Sequence, residues 1–496
     1  MSVILAFAVA LAGSFAIEAA AAARRVSLRP GDVAIRLGSY ALITAFWFVF
    51  SWRPWLAGAS TLTTIMITMV IDALKRRILG ESLVFSDVAL LRQVPRHPDL
   101  YYTMPLTHPR IAVPLLLAVL GVAAWYAIEP TALPQGLPAS VLAIAALPAI
   151  LLAMWFGART GIGRAVLAAR CPRPDLEADV ARYGVLATMF AYLARREAEA
   201  ATETAPTALP LPAARGDEVV VVVQLESFLD PARLGGEPLP AMARIDREAA
   251  QHGRLTVPTH GAYTMRSEHA LLTGREGASL GFGGFDPYLS GGGREPTSLA
   301  RLAKRAGYET VFVHPYHRDF FDRESVMRAL GFDRLVMYED FAEAPRVGPY
   351  VSDTAVAARI LAEVRGRTRP ILIFCATMEN HGPWKPGRLP GIDDPLAQYL
   401  HHVGNAGRAV ETLADGLSAE RATLCIYGDH APSLPSYRPG DGDPRTDYAL
   451  FRFARPVPEG GRRVDLRIAA LGCLLRDAVA PETAMAADPS VAVPRS

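Results

Sequence analysis

The sequence predicts two units in series. The first is a multi-pass α-helical membrane unit of about five spans. The second is an α/β unit with a mainly parallel sheet covered by helices on both faces. Three observations predict this. Apolar runs crowd into the first 160 residues, an Ala/Thr/Pro/Glu-rich stretch follows at 200–216, and beyond it short β-branched runs alternate with helical patterns. The chain has 496 residues, too long for one ordinary domain, and 51% of them are apolar. A formal net charge of +2 with no dense basic patch gives no footing for a nucleic-acid partner.

The apolar runs cover roughly 1–23, 37–52, 54–71, 111–128 and 137–158. A helix crossing a hydrocarbon core about 30 Å thick needs about 20 mostly apolar residues, which the last two runs supply. The run at 54–71 suffices if its ends reach the headgroups. The run at 37–52 is short but carries Tyr40, Trp47 and Trp52, which suit an interface. The first run holds a lone Glu18. It also invites reading as a cleaved leader, although its start lacks the basic residues such leaders carry.

Five spans starting in the cytoplasm put the second unit outside. Arg24, Arg25 and the basic residues Lys75, Arg76 and Arg77 would then lie in external loops, against the positive-inside rule. Gly80 to Tyr102 reads as an interfacial or re-entrant element, and 175–199 as an amphipathic helix before the linker. The expected divisions are a membrane domain at 1–158, a helix and linker at 159–216, a catalytic domain at 217–480 and a flexible tail at 481–496.

In the second unit the β-branched run after Glu218 reads as a buried strand. Further strands are expected at 309–313, 371–376 and 422–427, with helices at 297–306, 323–330, 353–365 and 395–417. In such sheets chemistry gathers at the carboxyl ends of the strands. Ligand-type residues stand there four times: Glu226; His314 and His317; Glu379, Asn380 and His381; Asp429 and His430. Oxygen and imidazole donors without thiolate suit Mn²⁺, Zn²⁺ or Mg²⁺. Cys171, Cys375, Cys425 and Cys473 form no CxxC pair, and Cys375 and Cys425 read as buried thiols. A hydroxyl nucleophile is available from Thr264 or Ser267, both near a helix start where an incoming phosphate is favoured.

Five motifs in order carry a resemblance. They are Leu225-Glu226-Ser227-Phe228, Tyr263-Thr264 with Glu268, Phe320-Phe321-Asp322-Arg323, Asn380-His381-Gly382-Pro383 and Tyr427-Gly428-Asp429-His430. Over nearly its whole length the chain resembles the lipoteichoic acid synthase family of the alkaline phosphatase and sulfatase superfamily. The resemblance implies an extracytoplasmic sulfatase-like domain on a multi-pass anchor in a bacterial inner membrane. It implies one divalent ion, Mn²⁺ before Mg²⁺ or Zn²⁺, held by Glu226, Thr264, Asp429 and His430. Thr264 would attack phosphatidylglycerol or a similar lipid, carry phosphoglycerol and pass it to a glycan or polymer acceptor. Arg323, His381, His314 and Phe321 would bind the substrate.

Three positions depart from the family pattern: Tyr316 where an acidic residue is usual, Phe321 where tryptophan is usual, and Arg266 two residues after Thr264. Alternative readings are a phosphoethanolamine transferase, a phosphodiesterase of the same superfamily, or a silent sensor of lipid headgroups. A sulfatase would need a Cys or Ser in a formylglycine signature, and the sequence around Thr264 provides none.

Overall fold

The computed structural model describes residues 2–22, 25–90, 93–97, 100, 109–157, 160–200, 216–289, 295–454 and 461–479. The chain forms two compact units, Met1–Thr202 and Glu203–Ser496. Most of the expected linker and all of the expected tail lie outside the described residues.

The first unit is helical: α1 Ser2–Ala21, α2 Pro30–Ser51, α3 Pro54–Leu79, α4 Phe85–Leu90, α5 Pro109–Ile128, α6 Leu137–Gly157, α7 Gly161–Arg170, α8 Leu176–Tyr183 and α9 Val185–Ala200. Among the described residues, α1, α2 and α3 are long and apolar enough to cross a membrane. Proline at the first helical position starts α2 and α3, where its missing N–H costs nothing. The α3 start is also capped from afar. The Glu129 carboxylate accepts from the Trp55 and Leu56 amides, each at 2.8 Å, placing negative charge on a helix N-terminus.

The short run at 37–52 lies within a 22-residue helix that begins at Pro30 and takes in Arg36. Its guanidinium pairs with Glu18, so the two charges compensate each other where both are buried. Glu18 also accepts from Tyr40 and from the Val185 amide. The single helix expected over 175–199 is therefore two, α8 and α9, parted at Gly184. There φ is +86°, and a Cβ would stand 2.5 Å from the Glu18 carboxylate.

The second unit contains β1 Val219–Leu225, α10 Pro240–Glu248, β2 Gln251–Thr256, α11 Thr264–Thr273, α12 Leu299–Arg305, β3 Glu309–Val313, α13 Arg323–Leu330, β4 Arg334–Val336, the small hairpin β5 Arg346–Val347 and β6 Tyr350–Val351, α14 Asp353–Arg365, β7 Ile371–Ala376, α15 Pro395–Leu417, β8 Ala422–Gly428, β9 Thr446–Arg452, β10 Arg462–Arg463, β11 Leu466–Arg467 and α16 Ile468–Val479. The main sheet runs β10-β2-β9-β8-β1-β7-β3-β4, with β11 also on β2. From β8 to β4 every pairing is parallel, as the alternation of strands and helices requires. The sheet is nonetheless mixed, because β9 is antiparallel to both β8 and β2.

β1 is buried along its whole length. Its odd-numbered valines join the residues of α14 and α15 in one apolar core, which also takes in Cys375. The parallel register aligns Leu225 with Gly428, so the next residues, Glu226 and Asp429, emerge side by side.

Candidate active site

Backbone geometry aims the first carboxylate. Ser227 adopts φ +53°, a left-handed conformation that turns the chain sharply after β1. The Ser227 amide donates to Asp429 Oδ1 at 2.8 Å, and its hydroxyl donates to Glu226 Oε1 at 3.0 Å. The Glu226 amide donates to Thr377 Oγ1 at 3.1 Å, and Asn380 Nδ2 donates to the Glu226 carbonyl at 3.3 Å. Residues from the ends of β1, β7 and β8 thus hold one another.

His430 Nε2 lies 3.5 Å from Glu226 Oε1 and 3.4 Å from Asp429 Oδ2. Ligand atoms of the three residues all fall within 4.8 Å of one another, and all three residues are buried. Burial, with Asp429 next to it, pushes the Glu226 carboxyl well above the usual carboxylate range. Asp429 Oδ2 is buried without a hydrogen-bond partner. Two adjacent buried carboxylates, one with an orphaned oxygen, facing an imidazole nitrogen fit a divalent cation in charge and donor type.

Thr264 is the first residue of α11, directly after Tyr263 at φ +62°. Its loop is tied to the metal-type cluster by the Gly261 amide, which donates to the Ala431 carbonyl at 2.9 Å. One turn on, Ser267 donates its hydroxyl to the Asp429 carbonyl at 2.6 Å. That bond docks the fully buried Ser267 on the end of β8, while Thr264, also buried, opens the helix. Arg266 packs over the Tyr263 ring and donates to the Phe285 carbonyl at 2.8 Å, which accommodates a cation where the resemblance expects an acidic or small residue.

Arg323 sits at the start of α13, after Phe321 and Asp322, both at positive φ. It is buried and forms an ion pair with Glu268 at 2.6 Å. Its guanidinium carbon lies 5.3 Å from the centre of the Phe321 ring. His314 is fully buried, and its Nδ1 lies 2.9 Å from the Ala376 carbonyl, so Nδ1 carries the proton. His314 Nε2 then accepts from Arg323 Nη1 at 3.1 Å. Burial and Arg323 hold the His314 imidazole well below its usual range. His381 is half-buried, near the Tyr350 ring. Burial pushes its imidazole down to about 3.

The structure adds residues that the sequence reading left without a role. Glu268, Gln224 and Tyr288 form one buried group, with Tyr288 donating to Glu268 at 2.5 Å and Gln224 at 3.1 Å. Glu379 faces α14 and α15, accepting from the Asp353 amide at 2.8 Å and lying 2.9 Å from His402 Nδ1. It thereby anchors the segment that carries Asn380 and His381.

The sulfatase family profile matches residues 218–454. The chain is 34% identical over 442 residues to the capsular polysaccharide biosynthesis protein RkpI of Rhizobium meliloti, covering 86% of this chain and 82% of that protein. A putative cyclic β-1,2-glucan modification protein of the same organism is 30% identical over 247 residues, 45% of this chain and 38% of that protein. Among solved structures, the lipooligosaccharide phosphoethanolamine transferase EptA of Neisseria meningitidis shares the fold with a TM-score of 0.55. It is 12% identical, and the match covers 96% of this chain and 94% of that one. A sulfatase-family domain occupies residues 218–454, and the chain belongs to one family with RkpI, with a run of apolar helices preceding that domain.

Proposed function

We propose that the protein is an inner-membrane phosphoglycerol transferase. It moves the headgroup of phosphatidylglycerol, or a similar lipid, to an extracytoplasmic glycan or polymer through a covalent intermediate on Thr264. The observation that carries this reading is the buried cluster of Glu226, Asp429 and His430, with Thr264 opening the helix that docks on Asp429. The names of the two Rhizobium relatives, which concern capsular polysaccharide and cyclic glucan, support a glycan acceptor. The expected divisions at residues 158, 216 and 480 belong to this proposal.

Glu226, Asp429 and His430 would hold the divalent ion, Mn²⁺ first among the candidates, with Thr264 as a fourth ligand. When bound, such an ion neutralises phosphoryl oxygens and favours ionisation of a nearby hydroxyl. The α11 N-terminus adds backbone N–H groups where an anion is favoured. Thr264 Oγ1 forms a bond to phosphorus while the bond to the diacylglycerol oxygen breaks, and that oxygen leaves with a proton as diacylglycerol. The acceptor hydroxyl then bonds to phosphorus and the Thr264 oxygen is released. Two displacements let one site serve donor and acceptor in turn. Arg323, with His314 behind it, and His381 orient the phosphoryl group, while Phe321 lines the glycerol side.

The test supplies purified full-length protein with phosphatidylglycerol or phosphatidylethanolamine, each labelled in the headgroup, and an oligosaccharide acceptor. Mass analysis should find glycerol phosphate on the acceptor and free diacylglycerol. Transfer of ethanolamine phosphate instead, or release of soluble glycerol phosphate alone, would overturn the assignment.

A further inference from the structure

Arg323 does not stand in the site as a free cation. Its Nε and Nη2 donate to Glu268, at 3.4 and 2.6 Å, and Nη1 donates to His314 Nε2 at 3.1 Å. A guanidinium has five N–H donors, so two remain, one on Nη1 and one on Nη2. Glu268 is held as strongly as it holds. Tyr288 and Gln224 also donate to it, so its two oxygens receive four donors. Both partners are buried, Glu268 at 0% and Arg323 at 1% exposure. Thr264 and Glu268 stand four residues apart on α11, on one helix face.

We infer that Glu268 determines specificity by cancelling the charge of Arg323, which tunes the pocket to the monoanion of a phosphodiester and against the dianion of a phosphomonoester. The inference rests on the proposed function in one respect: Arg323 meets the phosphoryl group. A divalent ion held by Glu226 and Asp429 would be matched in charge by their two carboxylates. Glu268 then removes the remaining positive charge, and what Arg323 offers is hydrogen-bond geometry with no net field. A dianion entering such a buried place would lose more hydration than a monoanion and meet at Arg323 no charge that Glu268 does not already offset. A monoanion loses less and still receives the two free N–H donors. Selectivity of this kind comes from withholding charge from the wrong ligand.

The test uses full-length protein at pH 8 and two probes, dimethyl phosphate as the monoanion and methyl phosphate as the dianion. Binding of each is measured by calorimetry in wild type, Glu268→Gln and Glu268→Asp. Wild type should prefer the monoanion. Glu268→Gln should shift the ratio toward the dianion by about tenfold or more, since one uncompensated buried charge is restored. Glu268→Asp, which keeps the charge, should stay near the wild-type ratio. A wild type that prefers methyl phosphate overturns the inference whether or not the variants fold, and so does a ratio unmoved by Glu268→Gln. Lipid turnover separates the two readings. A shifted ratio without phosphatidylglycerol turnover leaves this inference standing and sinks the proposed function. Normal turnover with an unmoved ratio does the reverse.

Discussion

Asp429 does several jobs at once. Its Oδ1 accepts from Ser227, its carbonyl accepts from Ser267, and its Oδ2 is left bare beside Glu226 and His430. If the bare oxygen serves a cation, an Asp429→Ala, His430→Ala double variant should lose the bound metal. Wild type should carry about one equivalent per chain by this ligand set. Elemental analysis of the purified proteins decides it, and equal metal content in both would remove the assignment. Ser267, the nearest rival to Thr264 by sequence, differs from it in environment. Ser267→Ala deletes a hydrogen bond worth about 1 kcal/mol and no reacting atom. It should lower the unfolding temperature slightly and keep most of the lipid turnover. A loss as deep as that of Thr264→Ala would move the nucleophile to Ser267.

At the scale of elements, the end of β8 is the tightest constraint. A Cβ on Gly428 would stand 2.0 Å from the Phe228 carbonyl oxygen, so the turns after β1 and β8 can approach only with glycine there. Gly428→Ala should cost about 2 kcal/mol or more through forced backbone shifts. It should also part Glu226 from Asp429 and so weaken metal binding along with thermal stability. Unchanged melting would show that the two turns can separate freely.

The same elements show what the sequence could and could not disclose. β1, β3, β7 and β8 were legible because buried parallel strands are continuous apolar runs, and their four ligand-bearing ends followed. β2 was not, because its residues Gln251 to Thr256 are largely polar and only Gly253 and Leu255 among them are buried. β9 was not, because Asp447 interrupts it; that carboxylate is buried with the Asp230 amide, Arg233 and Arg254 as partners, all far away in sequence. The Arg323–Glu268 pair was hidden for the same reason. Each residue reads as an ordinary motif member until the fold closes the 55-residue gap between them.

For the whole molecule, the arrangement of apolar helices before a sulfatase-family fold leaves one question of orientation. The basic residues near Arg25 and Lys75 argue for one topology and the lipid chemistry for the other. Lys75 pairs with Glu81 and Asp87, and Arg76 with Asp72 and Glu177, which holds these cations in place without removing them from the count that the positive-inside rule uses. The proposed lipid chemistry outweighs that count, so a reporter fused after Ser496 should be active outside the cytoplasm. Activity only inside would favour the positive-inside reading.

The central claim is that Thr264 carries the transferred group. The direct measurement exposes full-length protein to headgroup-labelled phosphatidylglycerol without acceptor, quenches it with acid and locates the label by peptide mass analysis. The account predicts one glycerol phosphate on Thr264, absent from Thr264→Ala. It also predicts that turnover in that variant falls by about a thousandfold or more, since the alanine keeps the fold but removes the attacking oxygen. A label on Ser267, or a Thr264→Ala variant that still releases diacylglycerol at the wild-type rate, would contradict it.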